Sequence, residues 1–373
     1  MGAINSGRKL YGEGRTPRRG TACAHGGTKA PRRPSSIAGR WFWCVVVLVA
    51  FLVGPWHAPR AETVKLSYAE PAADYVGFFI AVEKGFYAKE GIDVELVRAG
   101  GGIATPALIS GDIQFSTSAS SAISAILRGA RLKVISVTED RPDYQLWASG
   151  PSIQTFDDLR GKQVGVITRG DTGEIALRYA LMTRRLPPDF IAFTPLGPGP
   201  ARLATLASKT LPATLLYWLE TSAISGDRKF DHAHLLTDLR REVRMVFNGL
   251  ATSDKLIANQ PGLVRRFVHA TLEGIAYAKA HRDQAVDILA RYEKSSIDAA
   301  GAEYDHIVPA IVSDGIVPQD LQARELRLRA EMLGIAKDGN LPPSKVFDFT
   351  FVRSASSQPL GQVRNPSAST EEK

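Results

Sequence analysis

The chain has 373 residues, 44% of them apolar and 23% charged, a globular composition long enough for about two domains. Its formal net charge of +8 is unevenly placed: residues 1–60 carry ten Lys/Arg against one acid, Glu13, while residues 61–373 carry 36 basic against 37 acidic side chains. The body beyond residue 60 is close to neutral, which excludes a nucleic-acid-binding role resting on a basic face.

Residues 41–53 form a run of 13 apolar side chains behind the basic segment, followed by Gly54-Pro55 and small residues up to Ala61. A basic stretch, a short apolar run, a helix breaker and a small exit residue are the parts of a secretory signal, and a spanning helix needs about 20 apolar residues. Counting on to Pro59 gives 19 uncharged residues, so an uncleaved anchor is the alternative. Residues 1–61 are therefore expected to be a basic leader with a signal peptide or anchor, and the location to be periplasmic. Both cysteines, Cys23 and Cys44, lie in this leader. The mature chain is then expected to have no disulfide, no thiolate nucleophile and no cysteine-based zinc site.

Alternation predicts a strand over 64–68. Val76, Phe79 and Ile80 at helical spacing predict a helix within 74–83, stopped by Gly85, with one more turn over 86–90. A strand over 93–99 leads into Gly100-Gly101-Gly102, and Thr105-Pro106 reads as an N-cap with proline at the first helical position. Next come a strand over 113–115, a helix opened by Ser116-Thr117-Ser118, and a strand over 132–137. A second unit starts near Pro151. It has strands over 163–167, 191–196, 213–217 and 234–237, a polar turn over 168–173, and helices over 174–182 and around 201–207. Beyond Val243 the character changes: a strand over 243–250, then helices over 261–281, 283–292, 297–311 and 318–333. From 351 to 373 the composition predicts a disordered tail. The alternation of strand and helix argues an α/β fold with mostly parallel sheets.

Signals for catalysis are weak. There is no G-x-G-x-x-G, Walker or G-x-S-x-G sequence. His232 and His234 lack an obvious third ligand, and the serines at 116–121 have no nearby histidine, so no metal, cofactor or catalytic residue is assigned. Three strand-to-helix turns do share small or hydroxyl residues: 100–105, 116–121 and 168–173. Ligands of open α/β sheets bind at the carboxyl ends of strands, where helix N-termini offer free N–H groups. Three such turns in two units describe a cleft for a small polar or anionic molecule; good N-caps alone are the alternative.

The stretch Ala81-Val82-Glu83-Lys84-Gly85-Phe86-Tyr87 through Gly91-Ile92-Asp93-Val94 resembles a signature of the nitrate/sulfonate/taurine, NMT1/THI5-like (SsuA-like) substrate-binding proteins of ABC transporters. Ala107-Leu108-Ile109-Ser110-Gly111-Asp112-Ile113-Gln114-Phe115 and Phe156-Asp157-Asp158-Leu159-Arg160-Gly161-Lys162-Gln163-Val164-Gly165-Val166 resemble two more segments of that family, in the same order. The resemblance implies a two-lobed type II periplasmic-binding-protein fold, each lobe a mostly parallel sheet flanked by helices. Lobe one would comprise 62–148 plus 245–350, and lobe two 149–244. It implies a non-enzymatic protein that captures a solute and delivers it to an ABC permease in the inner membrane, acting as a monomer. Ligand contacts carried over by position are Asp74, Tyr75, Gly102, Ser118, Ser120, Thr168, Arg169, Asp171, Thr172, Tyr217 and Trp218. Arg169 could bind an anion or be solvated, and Asp171 could face the solute or cap its helix. Pro212 replaces the family's acidic residue ahead of the strand at 213–217, which leaves the solute's identity open. The rival is an enzyme on the same fold. A THI5-like synthase would carry a cysteine-rich motif, absent beyond the leader, and a dehydratase would show a paired acid and base facing the cleft.

Overall fold

The computed structural model describes residues 61–335 and 341–356; the expected leader and most of the expected tail lie outside the described residues. Ten strands are present among the described residues: β1 (Glu62–Tyr68), β2 (Ile92–Arg98), β3 (Phe115–Ser116), β4 (Leu132–Val137), β5 (Tyr144–Ala148), β6 (Gln163–Val166), β7 (Ala192–Pro195), β8 (Ala213–Tyr217), β9 (His234–Asp238) and β10 (Gly249–Ser253). They make two five-stranded sheets, ordered β2-β1-β3-β10-β4 and β7-β6-β8-β5-β9. β1 runs parallel to β2 and β3, and β6 runs parallel to β7 and β8. Each sheet also holds one antiparallel strand, β10 in the first and β5 in the second. Both are the first strand laid down after the chain changes sheet.

The helices used below are α1 (Val76–Glu83), α2 (Gly101–Ser110), α3 (Ala119–Leu127), α4 (Thr172–Thr183), α5 (Gly199–Ala207), α6 (Pro261–Ala280) and α7 (Gln319–Met332). They cover both faces of the sheets, so successive strand residues alternate between two cores. In the first sheet Ile135 and Leu250 point into a core shared with α1 and α6, while Val134 and Ala251 point into one shared with α2, α3 and α7. In the second, Leu215 and Leu216 divide in the same way. Aromatic stacking fixes the first core: the Phe267 ring lies 3.8 Å from Phe115 and 4.7 Å from Tyr87.

The structure departs from the sequence expectations at four places. Helix α2 begins at Gly101, four residues before the expected Thr105 cap, and Pro106 lies inside it, leaving the Gly102 carbonyl without its helical N–H. The glycines there permit contact with neighbours that a capping side chain would block. Residues 243–248 are not in a sheet; they form the return crossing between the halves, and β10 starts only at Gly249. Tyr144–Ala148, expected to end lobe one, is hydrogen-bonded inside the second sheet. Finally, Phe351 and Val352, expected in the tail, are buried in the helix Thr350–Ser356, which packs on α6.

The two crossings pair with each other. Phe247 donates its N–H to the Glu139 carbonyl (2.9 Å), Met245 donates to Asp140 (3.0 Å), and Thr138 donates to Asn248 (2.9 Å). The connection is thus a short antiparallel ribbon, with Met245 and Phe247 in the second-sheet core and Val246 in a first-sheet core. Among the described residues no helix is long and apolar enough to cross a membrane.

Candidate functional site

The carboxyl ends of the strands from both sheets meet beside this ribbon. Asp74 and Tyr75 arrive on the short helical turn Ala73–Tyr75 after β1, Glu139 and Asp143 on the first crossing, Tyr144 at the start of β5, and Tyr217 at the end of β8. All six are buried. The Tyr144 and Tyr217 rings stack at 4.4 Å with 27° between planes, and Phe247 meets Tyr144 edge-on at 5.7 Å. Tyr144 and Tyr217, far apart in sequence, come together because β5 and β8 are antiparallel neighbours, with these residues directly paired.

Apart from contacts of the Asp74 and Glu139 carboxyls with each other and of the Tyr75, Tyr144 and Tyr217 hydroxyls among themselves, many polar atoms in this seam have no partner among the described residues. Both carboxylate oxygens of Asp74 and of Glu139, Oδ2 of Asp143, the hydroxyls of Thr117, Thr168, Tyr144 and Tyr217, and Nδ2 of Asn248 are buried and otherwise unpaired. Buried polar groups normally find a partner, because an unmade hydrogen bond costs about 1–3 kcal/mol. A concentration of them at one place marks a surface built for hydrogen bonds to something other than this chain. Burial, with a smaller contribution from Asp143, pushes the Asp74 carboxyl up to about 6, although a hydrogen bond with Glu139 opposes that rise. Burial and then the Asp74 charge hold Glu139 well above the usual carboxylate range. The two carboxyls therefore favour sharing a proton. Burial likewise raises the tyrosine hydroxyls of Tyr75, Tyr144 and Tyr217, so all three remain neutral donors.

One side of the seam is closed by a buried arginine. Arg202 of α5 is fully buried and donates to Glu70 of the first half (2.7 Å), to Glu220 of the second (2.8 Å) and to the Leu215 and Gly197 carbonyls. Arg98 backs Glu70 at 3.6 Å. Nearby, Trp218 stacks on His306 at 4.6 Å, and His306 lies 3.4 Å from Asp143. The opposite side is closed by direct contact: Ser121 donates to the Gly170 carbonyl at 3.1 Å, and a Cβ on Gly102 would lie 2.5 Å from the Arg169 carbonyl oxygen. Outside this contact an open groove of about 740 Å³ runs between α2, α3 and the start of α4.

Of the positions expected from sequence, Asp74, Tyr75, Thr168 and Tyr217 come together at the seam, with Ser118 and Thr172 buried at the starts of α3 and α4. Four others have partners or close neighbours within the chain. The Ser120 hydroxyl accepts from Arg329 (3.0 Å), a fully buried arginine of α7 that also bonds Ser124 and pairs with Glu325. Asp171 caps α4, accepting from the Glu174 and Thr168 N–H groups at 2.7 and 2.8 Å. Arg169 turns outward to the Phe193 carbonyl (2.8 Å) and to Glu174, with 59% of its side chain exposed. Gly102 serves the contact between halves. Sequence reasoning missed Glu139, Asp143, Tyr144, Arg202 and Arg329. Some signals were present: Tyr144, Leu146 and Ala148 alternate as a strand, and Arg202 lies one turn before Leu206 on a buried helix face. Among the described residues no three His, Cys, Asp or Glu side chains converge as a metal would need.

Two α/β lobes joined by paired crossings, with a polar seam at facing strand ends, define the periplasmic-binding-protein fold. Solved structures share it. A protein of Bordetella bronchiseptica RB50 superposes with a TM-score of 0.67 at 20% identity, covering 80% of this chain and 98% of that one. The periplasmic aliphatic sulphonate binding protein SsuA from Escherichia coli gives 0.60 at 18% identity, covering 77% and 92%. In sequence the chain is 27% identical over 247 residues to the riboflavin-binding protein RibY of Chloroflexus aurantiacus, 62% of this chain and 68% of RibY. The NMT1/THI5 like family model matches residues 72–285, and the chain belongs to that family.

Proposed function

We propose that this protein is an extracytoplasmic solute-binding protein that holds a small polar organic molecule in the seam between its lobes and passes it to an ABC permease. The observation that carries this reading is the concentration of unpaired, buried polar atoms at facing strand ends, contributed by both lobes and by the crossing itself. A solute bonded to Asp74 and Tyr75 on one side and to Thr168 and Tyr217 on the other stabilises the arrangement in which both sides reach it. In this reading the second lobe runs over 141–243, which keeps β5 with the strands it pairs with, and the leader supplies export. Names of relatives support the reading: RibY and SsuA are binding proteins.

Small-angle scattering on the protein recovered from the cell envelope, with and without the solute it imports, tests this. The radius of gyration is expected to fall on saturation. An unchanged radius together with normal uptake in a strain lacking the gene would overturn the proposal.

A second reading, a dehydratase-type enzyme on the same fold, is favoured by the Asp74–Glu139 pair, which could exchange a proton with a bound molecule. Mass spectrometry of solute incubated with the protein separates the two. Solute recovered unchanged supports transport; catalytic loss of water supports the enzyme.

A further inference from the structure

The seam is rich in acceptors and poor in donors. Five buried oxygens of Asp74, Glu139 and Asp143 have no partner beyond the Asp74–Glu139 contact and can only accept when ionised, whereas the unpaired nitrogens beside them are Nδ2 of Asn248 and Nη1 of Arg240. The threonine and tyrosine hydroxyls can act either way and do not change that balance. The nearby basic side chains are already engaged. Arg202 is shared between Glu70 and Glu220 and two carbonyls, Arg98 faces Glu70, and His306 faces Asp143. A proton shared between Asp74 and Glu139 satisfies one contact and still leaves acceptors over. An anion placed here would meet carboxylates, with Arg240 as its one uncommitted cation among the described residues facing the pair.

Resting on the solute-binding reading above, we propose that the solute presents a cationic nitrogen, a protonated amine or amidine, to Asp74, Glu139 and Asp143. Each N–H then meets one of the unpaired oxygens in a charge-assisted bond. The stacked Tyr144–Tyr217 pair and Tyr75 are buried beside these carboxyls, and their rings and hydroxyls suit a cation carried on an organic frame. Among the described residues no acidic side chains are grouped as a metal ion would need, so N–H donors spread over an amidine or over an amine and its frame fit these carboxyls better than a metal ion. Because Glu139 stands on the crossing ribbon, a cation bonded to it and to Asp74 ties the hinge directly to the first lobe.

Isothermal calorimetry on the envelope-purified protein, with benzamidine and tyramine against benzenesulfonate and nitrate, tests the class at millimolar concentrations. At least one of the two cationic probes is expected to bind, and Asp74→Asn and Glu139→Gln are each expected to weaken it about tenfold or more. Asp143→Asn serves as a third variant should either fail to give a native melting transition. Silence from both cationic probes overturns the proposal, as does cationic binding that survives all three substitutions. Binding of benzenesulfonate or nitrate with a fall in the radius of gyration overturns the class while keeping the two-lobe reading. Binding of a cationic probe with no change in scattering keeps the class and counts against the two-lobe clamp.

Discussion

Asp74 and Arg202 represent opposite ways of burying charge. Asp74 is buried with no partner other than another acid, and its pKa rises to about 6; burial raises Asp171 to about 6 and Glu220 to about 7 as well. A carboxyl with a folded pKa above its unfolded value keeps its proton longer in the folded state. The folded chain therefore loses stability as pH rises from about 4 through about 7, and regains it on acidification. Asp74→Asn is expected to be more stable than the native protein at pH 8, by up to about 3 kcal/mol, and equal to it near pH 4. Denaturant titrations at the two pH values check this; an Asn variant less stable at pH 8 would contradict it. Arg202, by contrast, is fully satisfied, and its removal leaves Glu220 without its cation and Glu70 with Arg98 alone. Arg202→Met should cost about 3–5 kcal/mol, read as a lower denaturation midpoint, while Glu70→Gln should cost much less because Glu220 still pairs with the arginine. The sequence could suggest Asp74 and Tyr217 as site residues through family resemblance. It could not separate Asp171 the cap from Asp74 the unpaired acid, since the difference lies in which N–H groups reach each carboxylate.

At the scale of elements, α1 and α6 cross through two glycines. A Cβ on Gly274 would lie 2.1 Å from the Gly77 carbonyl oxygen, and one on Gly77 would lie 2.6 Å from Ile275 Cγ1. The helices can approach this closely only because both positions lack a side chain. Gly274→Val is expected to push α6 off the first sheet and to lower stability by about 1–3 kcal/mol or more, measurable as a drop in melting temperature. Most elements were legible. Apolar periodicity located β1, β2, β4, β6, β8, β9 and α6 to within a few residues, because one or both faces of each must be buried. The failures cluster where tertiary contact overrides local signals. Thr105-Pro106 is a good helix start by composition, yet α2 starts at Gly101, where the chain packs on Ser121 and Thr168. The apolar run at 243–248 reads as a strand because it is buried on both sides, but its burial comes from two different cores.

Across the whole molecule, the halves are held by the crossing ribbon, by Arg202 with Glu70, and by α7. That helix places Leu326 in a first-sheet core and Leu328 and Met332 against the second-sheet core. Its Glu325 accepts from the Val246 N–H of the return crossing at 3.1 Å, and Arg329 reaches Ser120. The ribbon itself spans few residues, so the halves are joined by few covalent and backbone links. Gly102→Val places methyl groups against the Arg169 carbonyl across the seam and should shift the population toward open forms. The expected result is a larger radius of gyration with little change in melting temperature, because each half keeps its own core. A variant as compact as the native protein would show that the contact does not govern closure.

Composition and periodicity by themselves determined that this is an α/β chain with its excess positive charge confined to the first 60 residues. The reason is that burying one or both faces of a strand or helix leaves a mark every second or every third to fourth residue. Ordered motifs from 81 to 166 added the family. Only the tertiary structure decided which polar residues are spent on the protein itself and which are left unpaired. Ser120, Arg169 and Asp171 bond within the chain, and Glu139, Asp143 and Tyr144 stand at the seam, because hydrogen-bond satisfaction depends on residues far apart in sequence, such as Ser120 and Arg329, 209 positions apart. No local pattern records such pairings; they exist once two sheets and two crossings have brought their ends together.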